Sequence, residues 1–433
     1  HLRRMLQFDT TNPPGNELPL ARYLESALAA DGIETHLFEP HPGRAAVVAR
    51  IRGSGKKAAV LLLAHMDVVG VEPDKWSVDP FGGEMLNGYI YGRGAIDDKG
   101  MLATNLMTML LLARELKRSG RMLQRDVVFV ATSDEEAGGE WGIDWLLKNH
   151  PHLLRAEMAL NEGGRIRMAG GKPLYAAVQT AEKISHVVTV TARGPAGHAS
   201  VPLAENAVAR LGRALARIDA FEPPVRLLPS TRMFFAGLSQ LWKSPLEARA
   251  MADVSSGVAK RVARGAAVLA RTPVFNAVLR AGISPTMASA GVRHNVIPAE
   301  AQGTLNVRTL PGESLSRLLA ALKRAVNDPL VEIVAVDRGV NAPASSHRSP
   351  MFRAIADTVS ELRPGLVTVP YLSTGATDSA RLRAAGMQAF GLLPFPLPPG
   401  DEARMHGHDE RVALSAFDFG TRLVFGAIYR VAR

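Results

Sequence analysis

The sequence predicts an α/β domain that is interrupted by a smaller α+β domain of the ferredoxin-like type. The first indication is that short apolar runs, such as residues 58–64 and 126–132, alternate with longer segments of helical periodicity. The second is that charged residues cluster where those runs end, as they do at the carboxyl edge of an α/β sheet. The third is a middle block of different character, after which the first pattern returns.

Residues 1–182 are predicted to form the first part of the α/β domain. Helical spacing of apolar residues indicates helices within residues 1–30, on either side of a loop rich in turn formers. The elements predicted after residue 30 are strands at 33–38, 45–51, 58–64, 126–132 and 158–160 and helices at 100–118 and 141–147. The last of these strands is expected to end at a glycine turn, residues 161–164.

Residues 183–339 are predicted to form the second domain, and residues 340–433 to complete the first. The second domain is predicted from a strand at 184–192, a helix from 205, strands at 286–291 and 302–309, a helix at 313–326 and a strand at 331–336. This order of strands and helices is that of a ferredoxin-like fold, with a helical insert at about 221–272. The returning α/β domain is predicted from helices at 350–362 and from 414, strands at 366–370 and 389–393, a glycine turn at 373–378 and a proline-rich loop at 394–400.

Composition excludes several classes of function. The 433 residues include no cysteine, which removes disulfides, thiolate catalysis and cysteine–zinc fingers. The formal charge is +10, with 40 arginines and 11 lysines, but the basic residues are scattered among acids and few aromatics accompany them, so no nucleic acid partner is expected. No apolar run approaches the roughly 18 residues of a membrane span. A cytoplasmic location is favoured, and a periplasmic or secreted one stays open because the chain begins with His1.

His65 and Asp67 follow the apolar run at 58–64, so both side chains are expected on one face at a strand end. The carboxylate would then be placed to accept a hydrogen bond from the second imidazole nitrogen, which orients a metal-binding histidine. A lone histidine in such a position is more often an ordinary surface residue. The acidic residues that follow the other predicted strands favour a divalent metal site.

Two pairs of adjacent acids are the next candidates. Asp97 and Asp98 lie in a glycine-rich turn before the helix at 100–118, where one of them could be a helix cap and the other could bridge two cations through its two oxygens. Glu135 and Glu136 follow the strand at 126–132. Because adjacent side chains diverge, one could bind metal while the other takes a proton from water, although a solvated acidic turn is equally common.

The remaining candidates are weaker when each is taken alone. Glu162 follows a short strand, and His406 and His408 compete for one role in a polar loop. The predicted second domain contributes His198 in a glycine-containing loop, Asn295, and Arg308 at a strand end. Arginine binds carboxylates in a bidentate manner, but each of these residues could equally have a structural hydrogen bond or a surface charge.

Taken together, these motifs resemble the dinuclear zinc amidohydrolases and peptidases, the family of aminoacylase-1, carboxypeptidase G, acetylornithine deacetylase and succinyl-diaminopimelate desuccinylase. The resemblance covers essentially the whole chain and is carried by AHMDVV, GRGAIDDKG, ATSDEEAGG, GPAGHAS, NVIP and MHGHDE. The long insert and the turn at 161–164 are similar to the branch of carboxypeptidase S and N-acyl-amino-acid hydrolases. Asn161 departs from the aspartate that is usual in that branch.

The resemblance implies a zinc-peptidase-like catalytic domain with an inserted lid domain, and two Zn²⁺ ions per subunit for which Co²⁺ or Mn²⁺ could substitute. The site residues that it implies are His65 and Glu162 for one zinc, Glu136 and His406 for the other, Asp97 as the bridge, Glu135 as the general base, Asp67 as the residue that orients His65, His198 at the oxyanion, and Asn295, Arg308 and Gly375 for substrate. It also implies a homodimer formed through the lid domain.

The expected function is therefore zinc-dependent hydrolysis of an amide or peptide bond next to a free carboxylate, which releases an amino acid from an N-acyl amino acid or a short peptide. A dipeptidase or aminopeptidase of the same fold is the nearest alternative, but an aminopeptidase would need acids for an α-amine, whereas Arg308 favours a carboxylate. A non-catalytic binding protein would lack a ligand or the base, and every expected position is filled.

Overall fold

The chain divides into two compact units in the computed structural model, which describes residues 1–433. Unit 1 comprises residues 1–181, 344–371 and 377–433, and unit 2 comprises residues 182–343 and 372–376. The short segment at 372–376, which contains Gly375, lies within the range that the sequence assigned to the α/β domain. None of the helices is both long enough and apolar enough to cross a membrane.

The helices and strands are labelled here in chain order. The helices are α1 Leu2–Leu6, α2 Leu18–Ala30, α3 Lys99–Ser119, α4 Trp145–Asn149, α5 Pro151–Leu154, α6 Ala207–Asp219, α7 Pro229–Ser239, α8 Pro245–Ser255, α9 Ala259–Leu269, α10 Pro273–Leu279, α11 Leu315–Val326, α12 Pro350–Leu362, α13 Ser379–Ala384, α14 Pro399–Glu402 and α15 Leu414–Ala432. The strands are β1 Glu34–His41, β2 Arg44–Ile51, β3 Val60–His65, β4 Met85–Leu86, β5 Tyr89–Tyr91, β6 Val127–Thr132, β7 Met158–Ala169, β8 Lys172–Glu182, β9 Ile184–Arg193, β10 Gly197–His198, β11 Gly282–Ala290, β12 Val296–Ile297, β13 Glu300–Thr309, β14 Val331–Arg338, β15 Val367–Ser373, β16 Gln388–Leu397 and β17 Arg411–Ala413.

Unit 1 is built on an eight-stranded mixed sheet with the strand order β1-β2-β6-β3-β7-β16-β8-β15. The central strand β3 pairs in parallel with β6 and β7, and β16 also runs parallel to β7. The pairs β1–β2, β2–β6 and β7–β8 are antiparallel. The predicted α/β class is confirmed.

The sheet of unit 1 carries helices on both faces, and this explains why β3 is apolar from Val60 to Ala64. Val60, Leu62 and Ala64 pack into a core with α3, α12 and α15. Leu61 and Leu63 pack on the opposite face with residues of α4 and α5. Because β3 and β6 are parallel and in register, both end at the same edge of the sheet, where the segments that follow them meet.

Unit 2 contains a four-stranded antiparallel sheet with the order β11-β13-β9-β14. With α6 between β9 and β11 and α11 between β13 and β14, this is the order and connectivity of a ferredoxin-like fold, as predicted. The core between the sheet and these two helices includes Val190 of β9, Leu305 of β13, Leu211 of α6 and Leu322 of α11. Helices α7–α10 form the insert, which continues to Leu279 rather than ending near residue 272.

The predicted end of a strand at residues 161–164 is wrong, because β7 runs through these residues and β8, which was not predicted, pairs with it. The two glycines allow neighbouring strands to approach closely rather than to turn. A Cβ on Gly163 would lie 2.1 Å from Oε1 of Gln179, and a Cβ on Gly164 would lie 2.2 Å from the carbonyl oxygen of Gly391. Such contacts exclude any side chain at these positions.

Two other predicted elements differ from the structure. The helix expected at 141–147 is broken at Gly142, whose backbone is non-helical and where a Cβ would lie 1.8 Å from the carbonyl oxygen of Ser133. The loop expected at 394–400 is mostly strand, because β16 continues to Leu397. Its two prolines are tolerated there because the pairing with β7 shifts register between Gly391 and Pro396.

Candidate metal centre

Two groups of histidine and carboxylate side chains lie at the carboxyl edge of the unit 1 sheet. The first consists of His65, Asp97 and Glu162, and the second of Asp97, Glu136 and His406. Within each group the candidate ligand atoms all lie within 4.8 Å of one another. His65 is the last residue of β3, Glu162 lies in β7, and Asp97 precedes α3, so the fold brings together residues that are far apart in sequence.

Asp97 belongs to both groups and directs one oxygen to each. Its Oδ1 lies 3.1 Å from Nε2 of His65, and its Oδ2 lies 3.1 Å from Nε2 of His406. The same nitrogen of His406 is 3.1 Å from Oε1 of Glu136. Sequence spacing left the choice between Asp97 and Asp98, and between His406 and His408, open. The two groups contain Asp97 and His406 and neither Asp98 nor His408.

The donor set fits borderline divalent cations, since each group offers one imidazole nitrogen and two carboxylates. Burial raises the pKa of Glu162 well above its ordinary value, and the neighbouring charges of Asp97 and Asp98 add to this shift. A cation between these carboxylates would offset their repulsion and their loss of hydration.

The imidazoles and Asp97 are electrostatically coupled. Hydrogen bonds to Asp97 and Glu136 raise the pKa of His406 to about 10, against the effect of burial. Burial favours the neutral form of Asp97, but hydrogen bonds from His406 and His65 hold its pKa below the ordinary value. Protons and metal ions therefore compete for the same nitrogen atoms.

Asp67 acts mainly on the turn that carries Glu135 and Glu136. Its Oδ1 accepts a hydrogen bond from the Glu135 amide at 3.2 Å, and its Oδ2 accepts one from the Glu136 amide at 3.1 Å. The Nδ1 of His65 lies 3.0 Å from the backbone carbonyl oxygen of Asp67 but 3.5 Å from its carboxylate. Asp67 was predicted to orient His65, and its closest contact with the imidazole is through its backbone carbonyl oxygen. Its carboxylate positions Glu135 and Glu136.

A buried network that the sequence does not reveal supports this turn. The side-chain amide of Asn12 donates to Oδ2 of Asp67 at 2.8 Å. Arg44 donates to Glu17 at 2.9 Å and to Asp134 at 3.0 Å, and Asp134 in turn accepts the backbone N–H of Trp141. No local pattern could have found these contacts, because Asn12 and Asp134 are 122 residues apart.

Glu410 holds the loop that carries Asp97. Its fully buried carboxylate accepts hydrogen bonds from the backbone N–H groups of Gly94 at 3.1 Å, Ile96 at 2.7 Å and Asp97 at 3.0 Å. It also pairs with Arg93 at 2.6 Å. The last letter of the MHGHDE motif was the signal for this role, although its partners lie more than 300 residues away.

Glu135 precedes Glu136 in the chain but belongs to neither group. Burial raises its pKa well above the ordinary value, and the charges of Glu162 and Asp378 add to the effect. Asp378 is a further buried acid that was not predicted, although the glycine turn at 373–378 contains it. Its Oδ2 accepts a hydrogen bond from Oγ1 of Thr132 at 3.1 Å, and burial raises its pKa to about 6.

The other predicted site residues belong to unit 2. His198 and Asn295 lie in two loops that are joined by pairing of β10 with β12, and the Ala199 amide donates to the Asn295 carbonyl oxygen at 3.0 Å. Nδ1 of His198 accepts a hydrogen bond from the Ser200 amide at 3.2 Å, which leaves Nε2 as the protonated nitrogen of the neutral ring. Nε of Arg308 donates to Oδ1 of Asn306 at 2.9 Å. Gly375 lies in the segment 372–376.

Comparison with known proteins places this constellation in a family. The model of the peptidase family M20/M25/M40 matches residues 61–430, which include every candidate ligand. The chain belongs to this family. Members of M20/M25/M40 are metal-dependent peptidases and amidohydrolases, so the chain is a hydrolase of this type.

Three curated relatives show which proteins of the M20 family the chain is similar to. The chain is 30% identical to the probable carboxypeptidase S-like 2 of Dictyostelium discoideum, over 83% of this chain and 69% of that protein. It is 28% identical to the human N-fatty-acyl-amino acid synthase/hydrolase PM20D1, over 85% and 73% of the two chains. It is 25% identical to aminoacylase-1 of Sus scrofa, over 96% and 90%.

Solved structures of M20 proteins share the fold. An M20 family metallo-carboxypeptidase from Sulfolobus solfataricus superposes with a TM-score of 0.74 at 20% identity, with 100% of this chain and 98% of that chain covered. A dinuclear metal binding peptidase of the family from Bacillus subtilis gives a TM-score of 0.62 at 14% identity, with coverage of 100% and 96%. At these identities the likeness concerns the fold alone.

Proposed function

We propose that this M20 hydrolase cleaves an amide or peptide bond next to a free carboxylate and releases an amino acid from an N-acyl amino acid or a short peptide. The observation that carries the proposal is the position of Asp97, with one oxygen near His65 and the other near His406. The names of the relatives agree with it, since they include a carboxypeptidase S-like protein, an N-fatty-acyl-amino acid synthase/hydrolase and an aminoacylase.

On this proposal each chain binds two Zn²⁺ ions, with Co²⁺ or Mn²⁺ as substitutes. His65 and Glu162 would hold one ion, Glu136 and His406 the other, and Asp97 both. The neighbour of similar fold that is described as a dinuclear metal binding peptidase supports the count. When bound, such ions supply a Lewis acid that polarises a carbonyl group and lowers the pKa of water.

Glu135 is the proposed general base. Its backbone and that of Glu136 are anchored by one carboxylate, Asp67, so the position of the base is tied to that of a ligand. Glu135 takes a proton from water as the oxygen attacks the carbonyl carbon, and it returns that proton to the leaving amine. His198 would donate from Nε2 to the developing oxyanion, because Ser200 occupies Nδ1.

Unit 2 is the proposed lid and dimerisation domain. Arg308 and Asn295 would bind the carboxylate and backbone of the substrate, together with the turn at Gly375. The edge strand β11 is exposed along residues 284–290, and a second copy could add its own edge there. We therefore propose a homodimer that is formed through unit 2, with His198 acting in the site of the partner copy.

Replacement of the general base tests the proposal. Glu135→Ala should lower kcat for N-acyl amino acids by at least about 100- to 10,000-fold, since a positioned base contributes roughly this much. Its zinc content should stay at that of the wild-type protein. The exposed neighbour Glu140 provides the control, and Glu140→Ala should leave both quantities unchanged. Full activity of Glu135→Ala would refute the assignment of the base.

A substrate screen tests the class of reaction. N-acyl amino acids and dipeptides with free carboxylates should be hydrolysed, whereas analogues with the carboxylate amidated should be poor substrates. Preferential cleavage of peptides that carry a free α-amine and a blocked carboxylate would instead identify an aminopeptidase.

A further inference from the structure

Two cationic side chains lie next to each other on the face of the unit 2 sheet that the helices leave uncovered. Ser185 of β9 is the register partner of Arg308 in β13, and Arg308 also faces Gly282 of β11. Side chains alternate along a strand, so Lys183, two residues before Ser185, lies on the same face as Arg308. Val188 and Leu305, which occupy the opposite parity, point to the helix-covered core.

Neither cation forms an ion pair or a side-chain hydrogen bond with a carboxylate. The Lys183 side chain is only 2% exposed, and its ammonium forms no hydrogen bond or ion pair. Nη1 of Arg308 is buried without a hydrogen-bond acceptor, and the only side-chain partner of its guanidinium is the neutral amide of Asn306. Buried polar groups are almost always paired, so two adjacent cations without partners are unusual.

Two nearby carboxylates act on this pair at longer range: Glu182 favours the charge of Arg308, and Glu313 favours that of Lys183. The carboxylate of Glu313 is the charge that favours the Lys183 ammonium, but it accepts a hydrogen bond from the backbone N–H of Leu310. Burial lowers the pKa of Lys183 to about 8, Glu313 opposes this shift, and the like charge of Arg308 adds to it. The folded protein therefore keeps two cations close together at a cost in stability.

A glycine leaves the space beside these cations open. A Cβ on Gly282 would lie 3.4 Å from Nζ of Lys183 and 3.7 Å from Cβ of Arg308. Any larger side chain at this position would fill the volume next to the ammonium. Because position 282 is a glycine, no side chain of β11 stands against the two cations.

We propose that Lys183 and Arg308 together form a carboxylate-binding site in unit 2, and that Lys183 determines specificity for substrates with a free carboxylate. A guanidinium binds a carboxylate through two parallel N–H groups, and an ammonium can add a third charge-assisted hydrogen bond. The identity of the bound group as the substrate carboxylate rests on the proposed function. The existence of the anion site does not.

Anion binding can be measured without turnover. Acetate, titrated into the zinc-loaded protein at constant ionic strength, should raise Tm, and neutral acetamide should not. The rise should be much smaller in Lys183→Met and Arg308→Met. It should be retained in Lys183→Arg and in the control Lys323→Met, which removes an exposed lysine of unit 2. Acetate that binds elsewhere contributes equally to all variants.

Turnover gives the second measurement. The ratio of kcat/KM for an N-acyl amino acid to that for its carboxamide should fall about 10- to 100-fold in Lys183→Met, as expected for loss of a hydrogen bond to a charged group. Lys183→Arg should recover most of the ratio. The Tm of Lys183→Met without ligand should match or exceed that of the wild-type protein, because an unpaired buried charge is removed.

The outcomes separate the two proposals. Equal stabilisation of Lys183→Met and the wild-type protein by acetate would overturn the anion site. An unchanged acid-to-amide ratio would overturn the role of Lys183 in substrate specificity. If no N-acyl amino acid or peptide is hydrolysed by the wild-type protein, the proposed function fails, and the acetate titration still decides whether the anion site exists.

Discussion

Buried charges are handled in opposite ways at the metal centre of unit 1 and on the open sheet face of unit 2. Around the metal centre, supporting acids have cationic partners: Glu410 pairs with Arg93, and Glu17 and Asp134 pair with Arg44. On the unit 2 face, neither Lys183 nor Arg308 forms an ion pair with a carboxylate, and Nη1 of Arg308 has no hydrogen-bond acceptor. Charges with partners stabilise a scaffold, whereas charges without them are available to a ligand.

The same distinction holds within unit 1. Glu410 is fully buried and receives four hydrogen bonds, so it acts on the loop of Asp97 rather than on a ligand. Glu162 is also buried, but the charges that surround it are other carboxylates. A cation is therefore needed beside Glu162 and not beside Glu410. This difference separates the candidate ligands from the residues that position them.

The largest effect is expected when the metal centre loses one of its candidate ligands. His406→Ala should lower the zinc content by one ion per chain and reduce kcat/KM by at least about 100-fold, because it removes a donor of the second group. His408→Ala is the matched control, since His408 lies in the same loop but faces Glu72 at 3.7 Å. Elemental analysis with steady-state kinetics measures both quantities. Equal zinc content in the two variants would reject the choice of His406.

A smaller effect, on stability rather than on ligand binding, is expected where a partnered charge is removed. Glu410→Gln leaves Arg93 buried without its carboxylate, and it should lower the free energy of unfolding by about 3 kcal/mol. Asp409→Asn is the control: the carboxylate of Asp409 is partly exposed and accepts from Ser77, so the loss should stay below about 1 kcal/mol. Denaturant titration gives both values, and a loss below 1 kcal/mol for Glu410→Gln would contradict its scaffold role.

The fold could be predicted from the sequence because its strands and helices have strong local patterns. The apolar runs of β3 and β6 are buried throughout, and the alternating pattern of β9 matches its alternating burial. The prediction failed at Gly163, Gly164 and the two prolines of β16. The two glycines allow neighbouring strands to approach closely, and the two prolines lie where the pairing of β16 with β7 shifts register. Both features depend on the neighbouring strand and not on the local sequence.

The candidate ligands were suggested by motifs, but the choice within pairs needed either the family resemblance or three dimensions. Spacing alone left Asp97 and Asp98 equivalent, and only one of them lies between the two imidazoles. The supporting residues Asn12, Arg44 and Arg93 could not be predicted, because their partners come from distant parts of the chain. Lys183 carries no motif, and its significance follows from its lack of a partner.

The central claim is that Asp97 joins two metal sites. A crystal structure of the zinc-loaded protein, with anomalous diffraction recorded at the zinc edge, tests it most directly. The expected result is two zinc peaks per chain, one bound by His65 and Glu162, the other by Glu136 and His406, and both by Asp97. A single peak, or two peaks that do not share Asp97, would contradict the account.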